Sequence, residues 1–442
     1  NIDWMTFESP TSGERVNRCW QLTKSYEELV ARRRAIEGWS RLSGGWLGRS
    51  PDHIASSMVG QVMGLPVFEK HSSERAGALM DYFRFVRDSD AYMTYVIINP
   101  QADRNKSTGE QQDEFLATGV VDEDAEGITV RGAKMLGTGS IMANEVLFAN
   151  IQPLKPGEEK YAISFAIPMN TKGLKVMSRR SYEESANSSF DYPLSSRFDE
   201  NDALVYCDDV KVPWERVFIY KDTDAARGQF QDTYAHYMQN YQAMTRLMVK
   251  MQFQVGVARR ICETIGTVGI PSVAEKLGHM AAQAAMVEGL VYGMESGGGM
   301  FNGYYVPDRN LMYTAQVLTQ QLYPEFVTSM REIAGGGLIM LPSSAEDFAN
   351  PELNKYINAT QKSAIGSAEE KVKFMKLAWD AIGSEFASRH TQYEMFYAGA
   401  QFVTRGHAFR TYDWDRSAEL VDSILDKYSL ADTIGGDKIA AE

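Results

Sequence analysis

Arg49 and His53 flank a helix start. Ser50-Pro51-Asp52 reads as that start, with Ser50 as the N-cap and Pro51 at the first helical position. If the helix begins there, Arg49 and His53 approach the same side of its N-terminus. The positive end of the helix dipole disfavours an imidazolium. His53 would then be neutral near pH 7 and able to accept a proton. Arg49 keeps its charge and could hold an anionic oxygen such as a phenolate. On spacing alone the plainer reading, a surface arginine beside a capping-region histidine, is the better one.

Other chemistries find less support. A nicotinamide site needs G-x-G-x-x-G between a strand and a helix. Gly137-Thr138-Gly139 is the nearest approach, but it lacks the third glycine and sits in β-rich sequence, so it reads as a turn. There is no GxxxxGK[ST], HExxH or GxSxG. The histidines, His53, His71, His236, His279, His390 and His407, offer no pair with ligand spacing on one helix face, so no metal site is expected. Cys19, Cys207 and Cys262 lie far apart with no CxxC, which reads as buried free thiols in a reducing cytoplasm.

The 442 residues are too many for one small core, and 44% are apolar, enough for a large interior. Acidic residues outnumber basic ones by 58 to 45, a net charge of −13 that disfavours nucleic acid and anionic membranes as partners. No apolar run is long enough to span a bilayer. The closest, His279 to Met294, contains Gln283 and Glu288 and reads as a buried helix. The chain opens at Asn1 inside what reads as a folded segment, so a preceding stretch is expected.

The elements that must position these groups come in three blocks. Residues 1–94 read as helical, with a capping box at Ser25 and Glu28. Residues 95–222 carry short strands at Tyr95–Ile98, Gly127–Val130, Tyr161–Ile167, Leu204–Val212 and Val217–Tyr220, the pattern of a small β-barrel or sandwich. Residues 223–442 return to helices. The polar stretch 182–202 keeps Phe190, Tyr192 and Leu194 as apolar contacts, and reads as a lid over a site rather than a disordered excursion.

Longer motifs carry a resemblance. Trp39-Ser40-Arg41-Leu42-Ser43 and Gly45-Trp46-Leu47-Gly48-Arg49-Ser50-Pro51-Asp52 resemble the 4-hydroxyphenylacetate 3-monooxygenase large-component family. Further matches follow in order: Asn99 to Arg104, Gly132-Ala133-Lys134, Asp191 to Asp202, Val212 to Glu215, Leu341 to Ser344 and Trp379 to Phe386. The resemblance implies an α+β, acyl-CoA dehydrogenase-like fold: an N-terminal helical domain, a middle β-barrel and a C-terminal helical bundle. It also implies a homotetramer. As cofactor it implies FAD, received as FADH2 from a separate NAD(P)H-flavin reductase. Reaction with O2 would give a flavin C4a-hydroperoxide that hydroxylates a phenol-like ring ortho to its oxygen.

By the same resemblance, Gln101, Ala102, Asp103, Arg104 and Ser107 form the flavin-contacting turn. Thr138, Gly139 and Ser140 meet the isoalloxazine, and Ala400, Gln401 and Phe402 reach the cofactor from the C-terminal domain. Arg49 matches the family's substrate-site arginine, against the spacing-only reading. Two positions depart: the family has Tyr where this chain has His53, and His where it has Tyr95. The exchange either preserves the chemistry in mirrored form or marks a substrate other than 4-hydroxyphenylacetate. His53 is expected as the base and Tyr95 as a hydrogen-bonding orienter over the flavin. Rival readings on the same fold are an acyl-CoA dehydrogenase, a 4-hydroxybutyryl-CoA dehydratase-like enzyme, which needs cluster thiolates this chain lacks near Gly44 to Gly48, and a degenerate, inactive member.

Overall fold

The computed structural model describes residues 2–431, so the end of the expected C-terminal domain, 432–442, lies outside the described residues. The expected helical block 1–94 opens on a short helix, Ile2–Met5, and an antiparallel strand pair, Thr6–Glu8 with Arg15–Asn17; the longer helices Tyr26–Leu42, Pro51–Met63, Pro66–His71 and Ser73–Asp88 come next. The capping box is half formed. Ser25 Oγ accepts the Glu28 N–H, but the Glu28 carboxylate reaches back one residue further, to Lys24 N. Pro51 opens its helix as expected, yet Ser50 makes no capping bond and donates instead to the Asp52 carboxylate.

Two four-stranded sheets follow. One runs Val217–Tyr220, Ile163–Pro168, Glu145–Phe148, Met93–Val96, with the last pair parallel. The other runs Gly119–Glu123, Gly127–Lys134, Ala203–Pro213, Leu174–Ser178, all antiparallel. Their facing sides share one core that includes Val96, Val130, Phe148, Phe165, Val205 and Cys207. The bridge between Ile98 and Met135 stitches the sheets at one end. Strands Gly119–Glu123, Glu145–Phe148 and Leu174–Ser178 were not expected. They are short, and Leu174–Ser178 lies largely exposed, with only Leu174-Lys175-Val176 alternating, too brief a pattern to read.

The helix Ala235–Ile265 is the axis of the molecule. Methionines and aromatics at helical spacing, Met238, Tyr241, Met244, Met248 and Met251, bury its face against its neighbours. It ends at Gly266, whose φ of +76° suits glycine. Against it the helix Pro51–Met63 packs closely enough that a Cβ on Gly60 would lie 2.3 Å from the Tyr234 carbonyl carbon. The run His279 to Met294 falls in the helix Pro271–Ser296. It is amphipathic rather than buried throughout: Met280, Val287, Val291 and Met294 face inward while His279 is exposed. No described helix is long and apolar enough to cross a membrane.

The polar stretch 182–202 is folded onto the later helices. Asp380 Oδ2 accepts Leu194 N and Ser195 N, both at 2.8 Å, and Ser195 Oγ at 3.1 Å. Lys376 pairs with Asp191 at 3.0 Å, and Arg179 holds Asp199 and Asp202. These bonds replace the apolar periodicity the stretch lacks. Asp380→Ala would leave two buried N–H groups without acceptors, at about 1–3 kcal/mol each. The denaturation midpoint should fall accordingly, with protease cleavage within 182–202 accelerated. A variant that unfolds at the wild-type midpoint would show that this anchor contributes nothing.

Candidate active site

His53 sits one turn into the helix Pro51–Met63 and is buried. Arg49 precedes that helix, and its Nη1 donates to His53 Nε2. Across from them Tyr95 stands on the strand Met93–Val96, its ring 6.0 Å from the imidazole. The Arg49 guanidinium lies 5.3 Å from the Tyr95 ring centre and 5.4 Å from that of Tyr393, a cation held between two phenol rings. Burial works against its charge, but Tyr393, Tyr95 and Glu200 outweigh burial and raise the Arg49 pKa. Burial, then the Arg49 charge, lowers the His53 pKa well below the usual histidine value. The neutral histidine expected from the helix dipole is therefore secured mainly by desolvation.

Two glutamines complete this centre. His53 Nδ1 lies 2.7 Å from Gln242 Oε1, and Gln242 Nε2 donates to Asp52 Oδ2 at 3.2 Å. Gln239 Nε2 reaches both His53 Nε2, at 2.9 Å, and the Tyr95 hydroxyl, at 2.8 Å. Sequence reasoning missed both residues. A signal was there: Gln239, Gln242, Arg246 and Lys250 recur at steps of three and four, a polar stripe along one face of the helix. Further along this stripe Glu394 takes both Arg246 and Lys250, the latter at 2.9 Å, all three buried.

Glu200 was also missed as an individual residue. Its Oε1 accepts the backbone N–H groups of Gly48 and Arg49, the second at 2.9 Å, while Oε2 takes Arg389 Nη1 at 2.9 Å. Its carbonyl accepts Gly139 N at 2.8 Å. Gly139 has φ +79°, and a Cβ there would meet the Tyr92 hydroxyl at 2.5 Å. Tyr92 in turn donates to the Arg49 carbonyl at 2.6 Å. Thr138 is tied in on both sides, by Thr94 Oγ1 to its carbonyl and by its own hydroxyl to Asp202, each 2.8 Å. Ser140 is buried, its hydroxyl turned back to Gly137 O at 2.6 Å.

The structure thus brings Arg49, His53, Tyr95 and Thr138 to Ser140 into one region. No hydrogen bond, ion pair or ring contact among the described residues joins the other expected flavin contacts to Arg49. Gln101, Ala102, Asp103, Arg104 and Ser107 form a turn closed by Gln111, whose side-chain amide reaches the carbonyls of Asp103, Lys106 and Ser107. The turn is rooted at Asn99, which receives Lys134 Nζ at 2.6 Å and donates to Asn150 and Thr108. Ala400, Gln401 and Phe402 begin the helix Gln401–Thr411, and Phe402 is exposed. Asn150 Nδ2 at the turn's root and the Tyr393 hydroxyl beside Arg49 are buried without partners. A group with polar edges, such as a flavin and a phenol, fits such orphaned atoms. A separate cavity of about 290 Å³ lies between Tyr182, Tyr192, Trp379 and Phe386, away from Arg49.

The site is set between helices and strands in the order of an acyl-CoA dehydrogenase-like fold. The family pattern "4-hydroxyphenylacetate 3-hydroxylase N terminal" matches residues 1–219, and its C-terminal counterpart matches residues 226–426. The chain belongs to the 4-hydroxyphenylacetate 3-hydroxylase family. It is 35% identical to a 4-hydroxyphenylacetate 3-monooxygenase oxygenase component of Pseudomonas aeruginosa, over 90% of this chain and 77% of that protein. It is also 35% identical to the oxygenase component of a 4-nitrophenol 2-monooxygenase of a Rhodococcus species, over 89% of this chain and 75% of that protein. Among solved structures, an oxygenase component complexed with FAD and 4-hydroxyphenylacetate superposes with a TM-score of 0.90. It is 32% identical and covers 96% of this chain and 87% of its own.

The Glu394 cluster generates a test of the scaffold behind Arg49. Burial pushes the Glu394 carboxyl up, and Arg246 and Lys250 more than reverse this, holding it at about 2. A carboxyl held below its unfolded value of 4.5 contributes stability above that pH and loses it as pH falls toward 2. Glu394→Gln leaves two buried cations without a counter-charge, which costs about 3–5 kcal/mol. Thermal melts at neutral pH should show a large drop, and part of the acid-induced loss of stability should vanish. An unchanged melting temperature would mean that the cluster is solvated.

Proposed function

We propose that the chain is the oxygenase component of a two-component, FAD-dependent aromatic monooxygenase that hydroxylates a phenol-like ring. The observation that supports this best is the Arg49 guanidinium between two phenol rings, with a neutral imidazole and the Tyr95 hydroxyl beside it. A free phenol has a pKa near 10, so roughly one molecule in a thousand is ionised at pH 7. The ionised ring donates far more electron density to its ortho carbon. Arg49 suits the phenolate oxygen, and Tyr95, whose oxygen accepts from Gln239, keeps its proton to donate. A substrate oxygen entering between Arg49 and His53 would draw the guanidinium to itself and leave Gln239 as the remaining donor to Nε2, which the substrate hydroxyl would have to displace. It would also offset the Arg49 charge, which after burial is the next cause depressing the imidazole, and so raise the basicity of His53.

Gln101 to Arg104, Ser107, Thr138 to Ser140 and Ala400 to Phe402 would hold the flavin. Bound reduced FAD supplies the activation of O2 and the electrophilic oxygen. The absence of a nucleotide fingerprint supports a separate NAD(P)H-flavin reductase as the FADH2 source, and the family supports a homotetramer. Three buried free thiols support a cytoplasmic setting. The relatives' names already differ in substrate, and the His53 and Tyr95 exchange favours a phenol other than 4-hydroxyphenylacetate. The thiols of Cys19, Cys207 and Cys262 sit in different parts of the fold, which speaks against a cluster-dependent dehydratase.

Coupling of hydroxylation to peroxide release tests the roles. Arg49→Ala should cut hydroxylation by about a hundredfold or more. His53→Ala should cut it by about a hundredfold. Peroxide release should rise in both while FAD affinity changes little, and Tyr95→Phe should cost less than either. If His53→Ala stays coupled and Tyr95→Phe is dead, the two roles are reversed. If Arg49→Ala is indistinguishable from wild type, the phenolate reading fails. Stoichiometric iron in the purified protein would favour the dehydratase.

A further inference from the structure

A buried imidazole beside an arginine can take either neutral tautomer, and only one of them serves as an acceptor toward that arginine. The choice falls to the groups around the ring. Arg49 Nη1 and Gln239 Nε2 both bring N–H groups to Nε2. Both are donors there, so Nε2 carries the lone pair. On the far side Gln242 presents Oε1 to Nδ1 at 2.7 Å, an acceptor that requires the proton on Nδ1. The amide cannot turn over freely, because its other end donates to the Asp52 carboxylate, which only accepts. Asp52 is held in its turn by Ser50. The charges that act on His53 are Arg49 and Arg246, both cationic, and the Tyr95 ring lies 6.0 Å from the imidazole. Asp52 reaches the ring only through the Gln242 amide. Among the described residues no carboxylate is hydrogen-bonded to His53.

We infer that Gln242 and Gln239 are positioning residues that lock His53 as the Nδ1–H tautomer with its Nε2 lone pair toward Arg49, so that His53 meets a ring hydroxyl only as acceptor and Tyr95 only as donor. The tautomer inference stands on geometry alone, and its use in catalysis rests on the phenol-hydroxylase reading above. A carboxylate in place of Gln242 would hold an imidazolium and fill Nε2 with a proton. The neutral amide relays the hydrogen bond to Asp52 without passing on its charge. Gln239 performs the second half: by donating to the Tyr95 oxygen it leaves the phenolic proton pointing elsewhere. The exchanged pair thus keeps one acceptor and one donor around the ring oxygen, which two glutamines on one helix enforce.

The test is magnetic resonance of the protein with isotope-labelled histidine, with no flavin or phenol, and with His53→Asn to assign the signal. The wild-type arm needs no variant. It should show His53 as a single neutral tautomer with the proton on Nδ1, not titrating from about pH 5 to pH 8. Gln242→Leu should bring in the Nε2–H tautomer. Gln242→Glu should move the titration midpoint up by about 1–3 pH units, and the pH at which coupling is half lost should rise with it. A wild-type signal with the proton on Nε2, or a charged ring at pH 7, overturns the inference. So does a Gln242→Leu spectrum unchanged from wild type. If the spectra follow expectation and no phenol is ever hydroxylated, the functional reading falls and the tautomer lock stands.

Discussion

Glu200 accepts the Gly48 and Arg49 amides on one oxygen and the Arg389 guanidinium on the other. Three separate parts of the chain meet there: the loop before the Pro51–Met63 helix, the polar stretch between the strands Leu174–Ser178 and Ala203–Pro213, and the Glu385–Phe396 helix of the C-terminal bundle. The Glu200 carbonyl adds a fourth through Gly139. A buried carboxylate with all its partners in place is a strong geometric constraint, because any displacement leaves amides or a guanidinium unpaired. Arg49 owes its position to this, since its backbone is gripped by Glu200 and by Tyr92 while its side chain extends to His53 between the Tyr95 and Tyr393 rings.

Around that fixed arginine the electrostatics are graded. Two aromatic faces and Glu200 sustain its charge. Burial and the arginine itself keep His53 neutral, and burial pushes Tyr393 up to about 12. The site therefore presents one full positive charge and several neutral polar groups in dry surroundings. That combination favours a bound oxyanion over the neutral phenol, and it does so without protein reorganisation at the moment of reaction. The Arg246, Lys250 and Glu394 cluster serves as the wall behind it, keeping further cations satisfied within the bundle.

Much of this was legible in the sequence, and the parts that were not share a physical cause. Proline at a helix start placed Arg49 and His53 correctly, and the strands at Ala203–Pro213 and Val217–Tyr220 announced themselves by composition. The family motifs led to the fold and to Arg49, where spacing alone favoured a surface residue. Gln239, Gln242 and Glu200 stayed hidden because their roles arise from partners more than 140 residues away, His53 with the two glutamines and Arg49 with Glu200. No local pattern encodes such a pairing. The Gln101 turn and the Ala400 helix start were proposed from resemblance alone, and the bonds they make here are internal.

The central claim is that this site turns one atom of O2 into a ring hydroxyl with reduced FAD as the electron source. A single turnover measures it directly. Protein loaded with reduced FAD and a simple phenol is mixed with heavy-isotope O2, and the product mass is read. The account predicts an ortho-dihydroxylated ring in which one oxygen is labelled, formed without NAD(P)H or added metal. A product whose new oxygen comes from water, or the complete conversion of O2 to peroxide with the phenol untouched, would contradict it.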